Sequence, residues 1–238
     1  MFTVKLAELV IRIENKYEFI KDMCADYIIP DCNADLTVSV TDGEIEYERT
    51  AGEEGEFTLG YLEFIAVYRR IAEWLPNYDG FLMHGVFFEA EGRGILLCAR
   101  SGVGKSTHMA LWKQLLGDKC RIINGDKPLI RIIDGKPYAY GTPWCGKEGI
   151  HINDKAVLTD ICFIERNETN ITEEYTDPDM ITRLFKQVYL PKADPLQKLA
   201  VLDLTGKVIE SVKFWKIRCN KDIEAAQVAY AKIMSGKV

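Results

Sequence analysis

From Ala99 to Thr107 the chain reads Ala-Arg-Ser-Gly-Val-Gly-Lys-Ser-Thr. The residue types in this stretch suit a bound phosphate. Glycines at 102 and 104 let successive backbone N–H groups curl round an anion, Lys105 adds a point charge, and the Ser106 hydroxyl can serve Mg²⁺. A helix starting near Lys105 turns its positive end toward the same place. The pattern is that of a Walker A phosphate loop (P-loop). It makes Ser101, Gly102, Val103, Gly104, Lys105, Ser106 and Thr107 the expected nucleotide-binding residues. One position departs from G-x-x-x-x-G-K-S/T, because the first glycine is Ala99. A left-handed backbone costs alanine about 1–2 kcal/mol, so an ordinary negative φ is expected there.

Three more positions carry chemistry. Asp126 lies in Asn124-Gly125-Asp126-Lys127, at the end of the apolar run Cys120–Ile123. A carboxylate at the end of the strand after the phosphate helix is where a nucleotide enzyme holds Mg²⁺, so Asp126 and Ser106 form the expected metal pair. The alternative is a turn aspartate before Pro128. His84, in Phe81–Ala90, reads as a satisfied core histidine or as a side chain facing the site. The Gly- and Pro-rich stretch Gly141–Gly149 is a loop in which Lys147 can reach phosphate. Trp144 in it reads equally as a stacking face or wedge and as a buried structural residue.

Positioning these groups requires an α/β fold. Ile95–Cys98 reads as a buried strand entering the loop, and Met109, Leu111, Trp112 and Leu115 give the following helix an apolar face that Gly117 ends. Phe81–Ala90 reads as one strand, joined to the loop strand by the tight Glu91–Gly94 connection. The resulting hairpin predicts a mixed sheet. Asp134-Gly135 marks a second hairpin between Leu129–Ile133 and Tyr138–Tyr140. Ala156–Ile164 is an apolar strand, Glu165–Glu174 a polar surface loop, Asp177–Leu190 a helix, and Phe214–Cys219 a late strand. The segments 196–204 and 208–212 fit helix or strand. Asn220 caps a last helix, Asp222–Met234, that ends at Gly236. Arg183 and Lys192 read as solvated helix charges, with a lid role as the alternative.

The first 78 residues are expected to form a small α+β subdomain ahead of a nucleotide-binding domain at 79–238. Phe2–Ile13 alternates as one strand, Lys16–Tyr27 reads as a short helix, and Thr41-Asp42-Gly43 reads as the turn of a hairpin between Leu36–Val40 and Ile45–Arg49. An acidic loop, Gly52–Glu56, precedes a helix at Leu59–Leu75. No chemistry shows in this part, and packing or partner contact is its expected role.

Composition narrows the function. A net charge of −6 over 238 residues argues against a duplex nucleic-acid binder, which needs a basic surface. No apolar run approaches a spanning helix, and the first residues lack the regions of a signal peptide. Seven cysteines, an odd number without C-x-x-C spacing, read as reduced thiols of a cytoplasmic protein. Cys98, Cys120 and Cys162 lie inside apolar runs as core fillers.

Met83-His84-Gly85-Val86-Phe87-Phe88-Glu89, then Ile95 to Ser106, then Ile122 to Asp126, resembles the catalytic domain of HPr kinase/phosphorylase. The wider likeness is to the phosphoenolpyruvate-carboxykinase-like (PEPCK-like) nucleotide fold, over residues 80–235. Small bacterial HPr-kinase-like proteins, some found beside modified-peptide biosynthesis genes, share a Thr-Pro-Trp loop like Thr142–Trp144 and a late segment like Ile217–Asn220. The resemblance implies ATP and Mg²⁺ as cofactors, Lys105 and Asp126 in catalysis, and His84 as the family-supported acid–base candidate, with Glu148 beside it. In HPr kinases two adjacent aspartates follow the loop helix, the first as general base and the second on Mg²⁺. Here they are Gly125 and Asp126, so the base position is empty. The family's Glu-x-Arg-Gly signature is unmatched around Trp144–Gly149, which argues against HPr itself as acceptor.

The expected activity is therefore an ATP-dependent phosphotransferase acting on a hydroxyl of a peptide, a protein or a small molecule. A homo-oligomer is in keeping with the family's hexamers. The rival is a nucleotide-binding regulatory module without turnover, which the empty base position favours. A decarboxylating carboxykinase matches only at the loop.

Overall fold

The computed structural model describes residues 1–51, 55–192 and 194–235. The chain opens with β1 (Phe2–Leu6) and β2 (Leu9–Glu14), an antiparallel hairpin where the alternation predicted a single strand. Ala7 and Glu8 both take positive φ, 49° and 65°. That is the backbone of a primed hairpin turn, here without the Asn-Gly that signals one. After α1 (Phe19–Met23) and a 3₁₀ turn, β3 (Ile28–Ile29) and β4 (Leu36–Ser39) complete a sheet of order β3-β1-β2-β4.

The expected hairpin at Thr41–Gly43 is instead the start of α2 (Asp42–Ala51). The Thr41 backbone and hydroxyl both donate to Glu44, 2.8 Å each, and the Glu44 N–H donates back to Thr41 Oγ1 at 3.2 Å. This reciprocal capping box outweighs the Asp-Gly turn signal. The acidic stretch 52–56 lies partly outside the described residues. Next, α3 (Leu59–Trp74), capped by Thr58, lays Leu62, Val67 and Ile71 on the small sheet.

The large sheet holds β5 (Gly80–Leu82), β6 (Val86–Ala90), β7 (Arg93–Cys98), β8 (Cys120–Asn124), β9 (Leu129–Ile133), β10 (Lys136–Tyr140) and β11 (Lys155–Arg166). Its order is β5-β9-β10-β11-β7-β6-β8, with β13 (Lys213–Cys219) and β12 (Ile171–Glu174) continuing from the far half of β11. One edge of β11 pairs first with β10 and then with β13, so the sheet curls. It is mixed, as the β6–β7 hairpin required: β7, β11 and β13 run parallel, and β6 and β8 are antiparallel neighbours. The helices are α4 (Lys105–Leu116), α5 (Asp179–Phe185), α6 (Pro195–Ser211) and α7 (Ile223–Ser235).

Alternation along β7 divides the core. Leu96 and Cys98 face α6 with Phe163, Val201 and Leu204, while Ile95 and Leu97 face α4 and α7 with Trp112, Ala226 and Ile233. Cys98, Cys120 and Cys162 are fully buried, as expected of core fillers. Asp160 is the one carboxylate at 0% exposure in the sheet. It accepts two bonds from Arg93, 2.8 and 2.7 Å, and one each from Thr159 and Trp215 at 2.7 Å. A buried charge needs such a full set of partners.

Other expectations need correction. Residues 196–211 lie in a single helix, because Asp194 caps it and Pro195 occupies its first turn, and Val212 leaves it in extended backbone. The polar stretch 165–174 contains β12, which takes the open edge of β13. The helix expected over 177–190 stops at Phe185, where Val188 turns to bridge Met83. Gly236 lies outside the described residues. Among those described, no helix is long and apolar enough to cross a membrane.

Candidate functional site

The glycine loop leaves the C-terminal end of β7 and enters α4. Gly102 and Gly104 take φ of 74° and 128°, backbone that a side chain would strain. Ala99 stays outside the left-handed region, as the sequence required. Lys105 folds back over the loop, its Nζ donating to the Ala99 carbonyl at 3.1 Å. Burial lowers its pKa and the charge of Asp126 opposes that. From outside, Arg166 at the end of β11 donates to the carbonyls of Val103 (3.2 Å) and Gly102. Engaging those carbonyls fixes the loop against the neighbouring strand.

The strand expected over Phe81–Ala90 is broken at residues 83–85, and the break places His84. The Met83 N–H donates to Pro128 O (3.3 Å), that of His84 to Gln187 O (2.8 Å), and that of Gly85 to Asp126 O (2.7 Å). His84 is thus neither a core residue nor on a strand. It is half-buried, with Nε2 3.2 Å from Asp126 Oδ1.

Asp126 is set by Asn124, a fully buried residue. The Asn124 Oδ1 accepts from the N–H groups of Asp126 (3.0 Å) and Lys127 (2.6 Å), and its amide donates to the carbonyl and hydroxyl of Thr142. Lys127 Nζ lies 3.0 Å from Asp126 Oδ2. Burial pushes the Asp126 carboxyl up, but the bond from His84 and the charge of Lys127 outweigh it and hold the pKa down at about 2. The carboxylate is therefore ionised at neutral pH.

Gly125 explains the missing base position. Its N–H donates to Ile150 O at 2.9 Å, and a Cβ there would stand 2.6 Å from Cys145 O and 3.2 Å from Ile150 O. A side chain at 125 would run into the main chain of the 145–150 loop rather than into the site. That loop hangs on Trp144, which is a structural tryptophan. The indole is stacked on Tyr68 (centroids 4.0 Å) and Phe64 (4.8 Å), and its Nε1 donates to Phe64 O at 2.8 Å.

These elements enclose a cleft of about 540 Å³. It brings together His84, Ser101, Gly102, Gly104, Lys105, Ser106, Thr107, Asp126 and Lys147, with Gly125, Lys127, Gly146 and Glu148. Of the residues expected from the sequence, only Val103 is outside it, lining two adjacent hollows. One, of about 270 Å³, lies where the C-terminal ends of β11 and β13 meet the loop. The other, of about 660 Å³, lies between the loop and α5. Of the two uncertain cations, Arg183 lines the larger hollow and Lys192 donates to Tyr47 OH at 3.5 Å.

The sequence reading missed Asn124, Lys127 and Arg166. The Asn-Gly-Asp turn was the available signal for Asn124; nothing local marked the others. Chemically, the cleft offers N–H groups at a helix start, three lysines and three hydroxyls beside an ionised carboxylate, a set that can hold a polyanion with a hard cation. Among the described residues no three His, Cys, Asp or Glu cluster to hold a metal by themselves.

The fold and cleft define an α/β protein with a curled mixed sheet and a polar pocket at the ends of its parallel strands. No family model matches the sequence, and no curated protein does. Among solved structures, the HPr(Ser) kinase/phosphatase from Coxiella burnetii is similar over 65% of this chain and 97% of that one, with 8% identity and a TM-score of 0.35. The relationship is a distant structural one.

Proposed function

We propose that the protein is an ATP-dependent phosphotransferase that transfers the terminal phosphoryl group to a hydroxyl. The observation that carries this is the convergence of the glycine loop, Lys105, Ser106, Asp126 and His84 on one cleft. In phosphoryl transfer the protein mostly positions groups and neutralises charge, and these residues supply both. The loop N–H groups, Lys105 and Lys147 hold phosphate oxygens. The Ser106 hydroxyl and Asp126 carboxylate are hard oxygen donors fitted to Mg²⁺, with Asp126 kept ionised. When bound, the ion would offset charge on the phosphate oxygens. His84, with Nε2 on Asp126, keeps Nδ1 as the atom to take the acceptor's proton. The base would occupy the 270 Å³ hollow beside Val103, since ligands of such sheets sit beyond the carboxyl ends of parallel strands.

A second reading, a nucleotide-binding module without turnover, is favoured by Gly125, whose direction leaves no carboxylate next to Asp126 in sequence, where the base of the resembling kinases stands. Calorimetry with ATP and Mg²⁺, with ADP formation followed over a long incubation, separates the two. Lys105→Ala and Asp126→Asn are each expected to lower ATP turnover at least about 100-fold, the range for loss of a charge-stabilising group. Preserved turnover in both variants refutes the proposal. Tight binding without ADP in the parent protein favours the module.

A further inference from the structure

The larger hollow, of about 660 Å³, shares Ser101 and Gly102 with the cleft. Its far wall includes Gln187, whose carbonyl accepts the His84 N–H at 2.8 Å. A molecule in it therefore borders the loop and Gln187, the residue that separates it from His84 in the adjoining cleft. Its charge is unlike that of the whole chain, which carries −6. Four cations, Arg100, Arg166, Arg183 and Lys186, line it against one carboxylate, Glu165. Glu165 is already paired with Arg183 and lies 4.0 Å from Lys216. Arg166 is committed to the loop carbonyls. Arg100 and Lys186 have no ion pair or side-chain hydrogen bond among the described residues, and Arg100 differs in this from the other described arginines, such as Arg12, Arg49 and Arg121, which are paired. Unpaired cations at a concave, partly apolar surface concentrate positive potential and draw an anion.

We propose that this hollow is the acceptor subsite, and that the acceptor is a hydroxyl compound carrying an anionic group, a carboxylate or phosphate, held by Arg100 and Lys186. This deepens the kinase reading and rests on it. In the transfer, the acceptor oxygen bonds to the terminal phosphorus of ATP while the bond from that phosphorus to the β–γ bridging oxygen breaks. ADP leaves with that electron pair, and the hydroxyl proton passes to His84.

The test uses the full chain saturated with a non-hydrolysable ATP analogue and Mg²⁺, so that the glycine loop is filled. Inorganic phosphate is the probe, titrated at constant ionic strength while backbone amide NMR shifts are followed. Saturable shifts are expected at Arg100, Lys186 and Gln187. The double variant Arg100→Gln/Lys186→Gln is expected to weaken phosphate binding at least tenfold while changing affinity for the analogue less than twofold. Both side chains are exposed, and an unchanged thermal midpoint confirms that the variant folds. Absent or unsaturable shifts overturn the proposal, as does equal phosphate affinity in the variant. It is also overturned if the analogue shifts these amides and excludes phosphate, for the hollow then belongs to the nucleotide. If the analogue does not bind, the kinase reading fails, and the phosphate titration on the free protein still reports on the hollow.

Discussion

Replacing Gly125 by alanine tests the account of the site with a single added carbon. Ordinary van der Waals contact begins at 3.4 Å, and the new Cβ would stand 2.6 Å from Cys145 O, so that carbonyl must withdraw by about 0.8 Å, with a smaller adjustment at Ile150 O. The carbonyl has little freedom, because Trp144 beside it is stacked between Phe64 and Tyr68. Overpacking of this kind costs about 1–3 kcal/mol. For a chain of this length about 2 kcal/mol lowers the thermal midpoint by about 4–8 °C. Gly206, in the middle of α6 with nothing within 4 Å of its Cβ direction, is the control. There the same substitution is expected to stabilise by about 0.5–1 kcal/mol, because alanine restricts the unfolded chain. Differential scanning fluorimetry therefore reads opposite signs for one chemical change. Since Gly146, Lys147 and Glu148 move with the displaced loop, Gly125→Ala should also weaken nucleotide binding, and Gly125→Asp should gain no turnover. An unaltered midpoint in Gly125→Ala, or faster ATP turnover in Gly125→Asp, refutes the reasoning.

Two further outcomes follow from buried groups. Burial lowers the pKa of His108 to about 4, against about 6.5 in an unfolded chain. Between those values the unfolded state binds more protons, so stability is full above pH 6.5 and falls as pH drops toward 4, by about 2 kcal/mol at pH 5; urea unfolding at pH 7 and pH 5 should show that loss in the parent protein and a smaller one in His108→Gln. Arg93→Leu leaves Asp160 buried without its cation and is expected to cost about 3–5 kcal/mol, read as a lowered urea midpoint; a change below 1 kcal/mol would show that Thr159 and Trp215 suffice for that carboxylate.

Contiguous chemistry was the legible part. Ala99–Thr107 carries its glycines, lysine and hydroxyls within nine positions, and Asp134-Gly135 and Glu91-Gly92 announce their hairpins by turn residues that accept positive φ. Local signals failed where a neighbour decided the outcome. Phe81–Ala90 looks like one strand because its apolar and aromatic side chains, Phe81, Leu82, Val86, Phe87 and Phe88, suit a sheet. The break at His84 is made by carbonyls of residues 126, 128 and 187, which lie far off in sequence. Residues 171–174 are polar and became a strand because β13 offered an open edge. Thr41–Gly43 held two competing local signals, and the glutamate three residues on decided between them. The direction of Gly125 is likewise invisible in a sequence, since a glycine has no side chain to show which way it points.

The indole of Trp144 sits between two rings of α3 and gives its N–H to the same helix, so the wall that carries Lys147 and Glu148 is moored to the opening third of the chain. Residues 1–78 are therefore not an ornament that could be trimmed from a self-sufficient catalytic piece. Severed at residue 79, the remainder would lose the seat for Trp144 and bare Leu129 and Tyr140, which share that buried cluster. Any drift in the sequence of Phe64 or Tyr68 would be felt as a change in the grip on whatever occupies the cleft, although neither ring lines it.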